Sequence, residues 1–255
     1  VREGTALSRS FIIAGLVVLM FTLSGCGGKS RDELYTEGVK LLKEGNPGGA
    51  IVLFKNALEK DQNYQDARFQ LAMAYKAVGK YEQAEKEFLK IRKQNPSRAD
   101  IALNLAKLYN ALEKPDQAIE QAEAFLRSSP DSADALESLG VSHGLKGASA
   151  EAERYFTLAL EREPGKNSTK LHLAGLLLRD VAGREKDALV LINDIIKADP
   201  RNVKAYNLLA SHELSLGNKD KALEIYRTVS SIAPTDPAPL YRQGIIHLEN
   251  GELDK

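Results

Sequence analysis

The side chains that could carry out chemistry are few and lie far apart in the chain. The four histidines, His143, His172, His212 and His247, share no spacing typical of metal ligands. The chain contains no HExxH or GxxxxGK[ST] motif. Most carboxylates alternate with lysines in the manner of solvated helix faces. The sequence therefore predicts a protein that is not an enzyme and has no metal, cofactor or small-molecule substrate.

The one reactive side chain in a distinctive setting is that of Cys26, the only cysteine. It follows an apolar run over residues 11–23, which is preceded by Arg2 and Arg9. A helix of that length rises about 20 Å, too little for a bilayer core of about 30 Å. A basic start and a short apolar run are typical of a secretory signal.

The segment Leu23-Ser24-Gly25-Cys26 resembles the lipobox of bacterial lipoproteins, in which an apolar residue and two small residues precede a cysteine. The resemblance implies a signal peptide over residues 1–25, removed by cleavage, and a lipid on the sulfur of Cys26. Residues 26–30 would then be the lipidated cysteine and a short tether. An ordinary cleaved signal and an uncleaved anchor are the alternatives. Gly27 is not the aspartate that marks inner-membrane retention in enteric bacteria, which favours a lipid-anchored protein of the outer membrane, facing the periplasm.

The charge of the chain is balanced, with 35 basic and 35 acidic residues among 255. Without a basic surplus, the composition gives no indication of nucleic-acid binding. A single cysteine also excludes an internal disulfide or a cysteine metal cluster.

Two series of residues share one period from residue 31 onward. Six alanines recur at intervals of 34, 34, 34, 36 and 34 residues, and prolines recur in phase with them. Glycines recur between the two amphipathic stretches of most units, where a left-handed residue would end a helix. The alanines are Ala50, Ala84, Ala118, Ala152, Ala188 and Ala222; the prolines are Pro96, Pro130, Pro164, Pro200 and Pro234; the glycines are Gly45, Gly79, Gly147, Gly217 and Gly251.

This pattern resembles the tetratricopeptide repeat, a 34-residue helix-turn-helix unit. The resemblance covers residues 31–255 and implies an all-α fold, a right-handed α-solenoid. The predicted units are residues 31–64, 65–98, 99–132, 133–166, 167–202, 203–236 and a partial unit, 237–255. The seventh unit stops before its second helix, so we expect the sequence to be the N-terminal part of a longer protein.

The fifth unit carries two extra residues at its inter-helix turn, between Arg179 and Asp187. The insertion is either a tolerated loop or a bulge that marks a partner contact.

In the tetratricopeptide family, the first helix of each unit lines a concave groove that binds protein partners. The resemblance thus implies a partner surface on the first helices, although some of these residues can simply pack between units. The predicted surface comprises Tyr35, Val39, Phe69, Met73, Leu103, Lys107, Asn110, Glu137, Asn207 and Ser211.

A lipid anchor followed by such an array predicts a membrane-tethered scaffold for an envelope complex. Residues 24–35 and 50–60 resemble the tetratricopeptide lipoprotein of the exosortase (PEP-CTERM) system, which implies a role in exopolysaccharide export or protein sorting. The alternatives are a pilotin-like lipoprotein for type IV pilus or secretion assembly, and a periplasmic chaperone or enzyme regulator. The expected partners are proteins of the envelope and, through Cys26, the membrane.

Overall fold

The computed structural model describes residues 28–251 as α-helices joined by short turns, with no strand in that range. The predicted signal peptide, Leu23, Ser24, Gly25 and Cys26, as well as residues 252–255, lie outside the described residues. The thirteen helices are α1 Arg31–Lys43, α2 Pro47–Lys60, α3 Gln65–Ala77, α4 Tyr81–Gln94, α5 Asp100–Ala111, α6 Pro115–Leu126, α7 Ala133–Leu145, α8 Ser149–Arg162, α9 Asn167–Asp180, α10 Glu185–Ala198, α11 Val203–Ser215, α12 Lys219–Ile232 and α13 Ala238–Glu249.

The helices form two compact units that divide between Asn95 and Pro96. The first unit contains the hairpins α1–α2 and α3–α4. The second contains α5–α6, α7–α8, α9–α10 and α11–α12, followed by α13. Within each unit the first helix of a hairpin also contacts the first helix of the next hairpin. The predicted all-α solenoid of tetratricopeptide type is confirmed for the described residues.

Helix ends are fixed by local chemistry. At the start of α1, the hydroxyl of Ser30 accepts a hydrogen bond from the backbone N–H of Glu33, while the Glu33 carboxylate accepts one from the backbone N–H of Ser30. This reciprocal arrangement satisfies two N–H groups that the helix leaves without partners. Proline occupies the first position of α2 and α6, where no N–H is needed.

The turn inside each of the six hairpins contains a residue with a positive φ angle. Gly79 adopts φ 73° and Gly147 φ 73°, as the sequence predicts. The third hairpin differs, because Glu113 takes this conformation with φ 53° at the equivalent place. A non-glycine residue with positive φ is uncommon, so this turn is locally strained.

The six periodic alanines lie where each hairpin's helices cross, and each is 0% exposed. A second crossing contact joins the eighth residue of a unit to an aromatic ring. A Cβ atom built on Gly140 would lie 2.5 Å from Cε1 of Phe156, and one on Gly38 would lie 2.6 Å from Cε1 of Phe54. These two glycines are therefore required by packing, since a methyl group there needs the ring to move.

Candidate functional site

A groove of about 1030 Å³ opens in the second unit over three successive first helices, α7, α9 and α11. Its floor includes Val141, Phe156, Leu176 and Leu208. That volume is at the upper end of the range for ligand sites in proteins. It is larger than a second cleft of about 480 Å³ in the first unit, and we take it as the candidate functional site.

The groove is open because side chains become small at one repeat position. The ninth residue of each repeat is Lys107 in the third repeat, followed by Val141, Gly175 and Ser211 in the fourth, fifth and sixth repeats. A Cβ atom built on Gly175 would meet only Cδ1 of Leu208, at 4.0 Å, and one on Gly144 only Cβ of Ala152, at 3.9 Å. Neither of these glycines is required by helix packing, in contrast to Gly140.

Two histidines form part of the groove wall. The ring of His172 stacks on Phe156, with centroids 5.8 Å apart, and its Nε2 lies 3.5 Å from Oε1 of Glu137. Partial burial lowers the pKa of His172; the Glu137 carboxylate opposes this, and the charge of Lys204 adds to it. His172 is therefore predominantly neutral at pH 7.

The second histidine, His212, is held in the same way by an acidic partner. Its Nε2 lies 3.0 Å from Oε1 of Glu185, and its side chain is 8% exposed. Both imidazole rings are therefore held in place by packing and by a carboxylate of the protein itself.

One end of the groove carries an ion pair on adjacent residues of α9. Nε and Nη2 of Arg179 donate to Oδ1 and Oδ2 of Asp180 at 2.8 Å and 2.7 Å. The hydrogen bond from Arg179 lowers the pKa of Asp180, and Ser149 adds a smaller contribution in the same direction. This pair sits at the inter-helix turn that carries the two extra residues.

In the first unit, the predicted surface residues Tyr35, Val39, Phe69 and Met73 are half-buried. The ring of Tyr35 packs against Phe54, with centroids 6.1 Å apart, and Phe69 packs against Phe88 at 5.8 Å. These two aromatic side chains therefore contribute to the packing of their own hairpins.

The predicted residues Lys107, Asn110 and Glu137 link neighbouring first helices. Nδ2 of Asn110 donates to the backbone oxygen of Ser138 at 2.8 Å, and Oγ of Ser142 donates to Oδ1 of Asn110 at 2.7 Å. Each amide and hydroxyl in this contact between α5 and α7 is thus satisfied within the protein.

Asp134 on α7 connects the neighbouring repeats through two lysines. Nζ of Lys107 lies 2.8 Å from its Oδ2, and Nζ of Lys166 lies 2.5 Å from its Oδ1. Burial raises the pKa of Asp134, but the hydrogen bonds from both lysines outweigh it, so the pKa lies below the ordinary value. On the next turn Oε2 of Glu137 accepts hydrogen bonds from the hydroxyls of Ser168 and Thr169, at 2.9 and 2.8 Å.

Of the ten predicted surface residues, only Ser211 lines the groove. Leu103 is half-buried on α5, and Asn207 is exposed on α11. Whether the ten form a partner surface stays a prediction. Sequence reasoning missed Gly144, Gly175 and Arg179, although the loss of side-chain size along the ninth repeat position was a readable signal for Gly175.

The first unit holds a buried ion pair beside a smaller cleft. Nη1 of Arg68 donates to Oε2 of Glu87 at 2.6 Å, and the two side chains are 9% and 12% exposed. Nζ of Lys90 lies 2.7 Å from the second carboxylate oxygen. The pair ties α3 to α4 and is a structural element of that hairpin.

Over residues 28–251, no group of three or more histidine, cysteine or acidic side chains is placed to hold a metal ion. Within the same range, no helix is both long and apolar enough to cross a membrane.

Comparisons with known proteins agree with this architecture. Models of the tetratricopeptide repeat match residues 41–102, 103–167 and 181–242, which is most of the chain. Comparison with curated protein sequences finds no significant match.

Solved structures share the fold at low sequence identity. A tetratricopeptide repeat protein from Parabacteroides merdae is 17% identical over 94% of this chain and 95% of its own, with a TM-score of 0.77. The Pseudomonas aeruginosa pilF structure is 20% identical over 86% and 97% of the two chains, with a TM-score of 0.60. MamA from Desulfovibrio magneticus RS-1 is 18% identical over 69% and 98%, with a TM-score of 0.57. The chain therefore belongs to the tetratricopeptide-repeat family, whose members are protein-interaction scaffolds.

Proposed function

We propose that this protein is a lipid-anchored scaffold that binds a protein partner in the groove of its second unit during assembly of an envelope complex. The observation that carries the proposal is the groove of about 1030 Å³ over α7, α9 and α11. It crosses three repeats, so it matches an extended stretch of polypeptide better than a compact metabolite.

The wall of the groove supports binding rather than catalysis. His172 and His212 are each engaged by a carboxylate, and the hydroxyl of Ser215 donates to the backbone oxygen of His212. A general base needs a reacting group at about 2.6–3.2 Å. The histidines therefore act here as shaped, polar wall residues.

The anchoring part of the proposal rests on the lipobox resemblance at Cys26. A lipid there would hold the array at the outer membrane, facing the periplasm, and raise the effective concentration of partners at that surface. Replacing Cys26 with alanine should release the protein from membranes or leave an unprocessed precursor. Normal cleavage with unchanged membrane attachment in this variant would disprove lipidation.

The proposed pathway is exopolysaccharide export or exosortase-linked protein sorting, on the strength of the N-terminal resemblance. A pilotin-like role in type IV pilus or secretion assembly is the second candidate, and the fold shared with the Pseudomonas aeruginosa pilF structure favours it. The neighbouring genes separate these two: exosortase and polysaccharide genes in one case, pilus genes in the other.

Site-specific photo-crosslinking tests the groove directly. A photoreactive amino acid at Ser211, inside the groove, should yield one or a few discrete crosslinked proteins in intact cells. The matched control is Val190, which is 60% exposed on the second helix α10 and outside the groove. Equal crosslinking from both positions would contradict the assignment of the groove, and crosslinks to many unrelated unfolded proteins would favour a general chaperone.

A further inference from the structure

The chemistry of the groove wall narrows the kind of segment that fits it. Resting on the proposed function, we infer that the groove binds a peptide segment through one bulky apolar side chain seated over Gly144 and Gly175, with a carboxylate of the same segment paired to Arg179. The apolar side chain provides the anchor, and the carboxylate sets the orientation of the peptide.

The floor of the groove is apolar where the two glycines leave space. Phe156, Leu176 and Leu208 contribute to it. A Cβ atom on Gly144 would make one ordinary contact, with Ala152 at 3.9 Å, and one on Gly175 would make one with Leu208 at 4.0 Å, so neither position is crowded. A buried leucine, methionine or phenylalanine side chain there would remove apolar surface of both partners from water, which is the main source of affinity in such contacts.

The polar side chains of the wall favour an apolar anchor over a hydrogen-bonding one. The groove-facing histidines are each engaged by a carboxylate, Glu137 or Glu185, and the hydroxyl of Ser215 donates to the backbone oxygen of His212 at 2.7 Å. A polar group inserted between them would have to compete with these carboxylates for the two Nε2 atoms. Desolvating a polar group without a new hydrogen bond is unfavourable.

Charge at the end of the groove favours an acidic neighbour for the anchor. In the Arg179–Asp180 pair the arginine side chain is 68% exposed and the aspartate 24%, so the surface offered to a partner is mainly cationic. The guanidinium retains N–H donors beyond the two that Asp180 accepts, and a planar fork of this kind binds a second carboxylate well.

The fifth repeat differs from its neighbours near the end of its first helix, where Arg179 lies. Its first helix, α9, has 14 residues, whereas α5, α7 and α11 have 12, 13 and 13. The thirteenth residue of the fifth repeat is Arg179, whereas the third, fourth and sixth repeats have Ala111, Leu145 and Ser215 at this position. The two extra residues of this turn therefore coincide with the only arginine at that position in the second unit.

Selection from a random decapeptide library displayed on phage, against the full chain purified in detergent, tests the inference. The expected consensus has a bulky apolar residue with an aspartate or glutamate within a few positions. Gly175→Met gives α9 the residue that α3 has at this position, Met73, and should fill the groove without disturbing the fold. It should weaken binding of a selected peptide at least about tenfold, as expected for loss of one buried apolar anchor.

Two matched variants isolate the two parts of the site. Gly175→Ala adds only one methyl group and should bind within about twofold of the parent, since most of the vacant space remains. Arg179→Gln should weaken binding about two- to fivefold and reduce its dependence on salt, as for an exposed ion pair, whereas Arg227→Gln on the exposed face of α12 should not.

A basic or wholly polar consensus, failure to select any peptide, or undiminished binding by Gly175→Met would overturn the inference. These outcomes are separable from failure of the proposed function, because discrete crosslinks from Ser211 in cells would still establish a partner in the groove.

Discussion

Two glycines in the first helices of neighbouring hairpins should have opposite effects on stability when each is replaced by alanine. Gly140 on α7 faces the ring of Phe156, and a Cβ atom there would lie 2.5 Å from Cε1, 2.6 Å from Cδ1 and 3.0 Å from Cγ. Gly175 on α9 faces the open groove, and its Cβ atom would meet only Cδ1 of Leu208, at 4.0 Å. Gly140→Ala requires the ring to move, whereas Gly175→Ala does not.

The magnitude follows from two terms. Replacing a helical glycine with alanine stabilises a helix by about 1 kcal/mol, and this gain is common to both variants. Ordinary carbon–carbon contacts lie at about 3.5–4.0 Å, so the ring of Phe156 must shift by about 1 Å in Gly140→Ala. Phe156 is 3% exposed and also stacks on His172, so it has little room to move. Overpacking of this kind costs about 1–3 kcal/mol.

The free energies of unfolding of the two variants should therefore differ by about 1–3 kcal/mol, because the helix-propensity gain cancels. Gly175→Ala should be more stable than the parent, by up to about 1 kcal/mol. Urea unfolding followed by circular dichroism measures both values, and 1 kcal/mol corresponds to about 2–4 °C in melting temperature for a chain of this size.

A double variant provides the control. Phe156→Leu removes most of the ring, so Gly140→Ala should destabilise the protein less in that background than alone, which a double-mutant cycle measures. If both glycine variants were equally stabilised, the helix-crossing contact described for Gly140 would be wrong. If Gly175→Ala were strongly destabilising, the groove would not be open at that position.

Three further variants test other parts of the structure. Ala118, which is 0% exposed at a helix crossing, should be overpacked by leucine, with a loss of about 1–3 kcal/mol in thermal or urea unfolding; unchanged melting would refute the repeat register. Glu87→Ala leaves the buried guanidinium of Arg68 without its carboxylate and should lower the free energy of unfolding by about 3–5 kcal/mol. The double change Arg68→Met and Glu87→Leu should lower it much less, and equal losses would show that the pair is not coupled. The pKa of Asp134 is depressed in the folded state, so its contribution to stability is present above the ordinary carboxyl pKa and is lost as the pH falls through the folded value. Asp134→Asn should therefore be less stable than the parent at pH 7 and should lose less of its free energy of unfolding between about pH 4 and pH 2. An equal loss of stability in both proteins over that pH range would contradict the role of the two lysines.

The repeat fold was predictable because its constraints are local and recur. Each alanine at a helix crossing reports a contact inside one hairpin, and each proline after a second helix marks where that hairpin ends, so the period in the sequence reproduces the period in space. The positive φ angles at Gly79 and Gly147 follow from the same reasoning. Glu113 shows its limit, since the fold imposed a left-handed conformation on a residue whose type does not favour it.

The groove was less predictable because it depends on which side chains are missing from three helices at once. Sequence position alone placed Lys107, Asn110 and Glu137 on the first helices but could not show that their polar groups bind neighbouring helices. It also could not show that Gly144, four residues after Gly140 on α7, lines the groove. Gly140 is pressed against an aromatic ring from α8, whereas a Cβ atom on Gly144 would meet only Cβ of Ala152, at 3.9 Å.

The sequence by itself therefore determined the all-α repeat architecture, the positions of its helix crossings and the irregular fifth turn, since all of these arise from contacts between residues close in the chain. Only the tertiary structure decided that the open groove lies over α7, α9 and α11, and that Arg179 stands at its end. The physical reason is that a groove is a volume left between side chains of several repeats, and its size depends on how those repeats pack together.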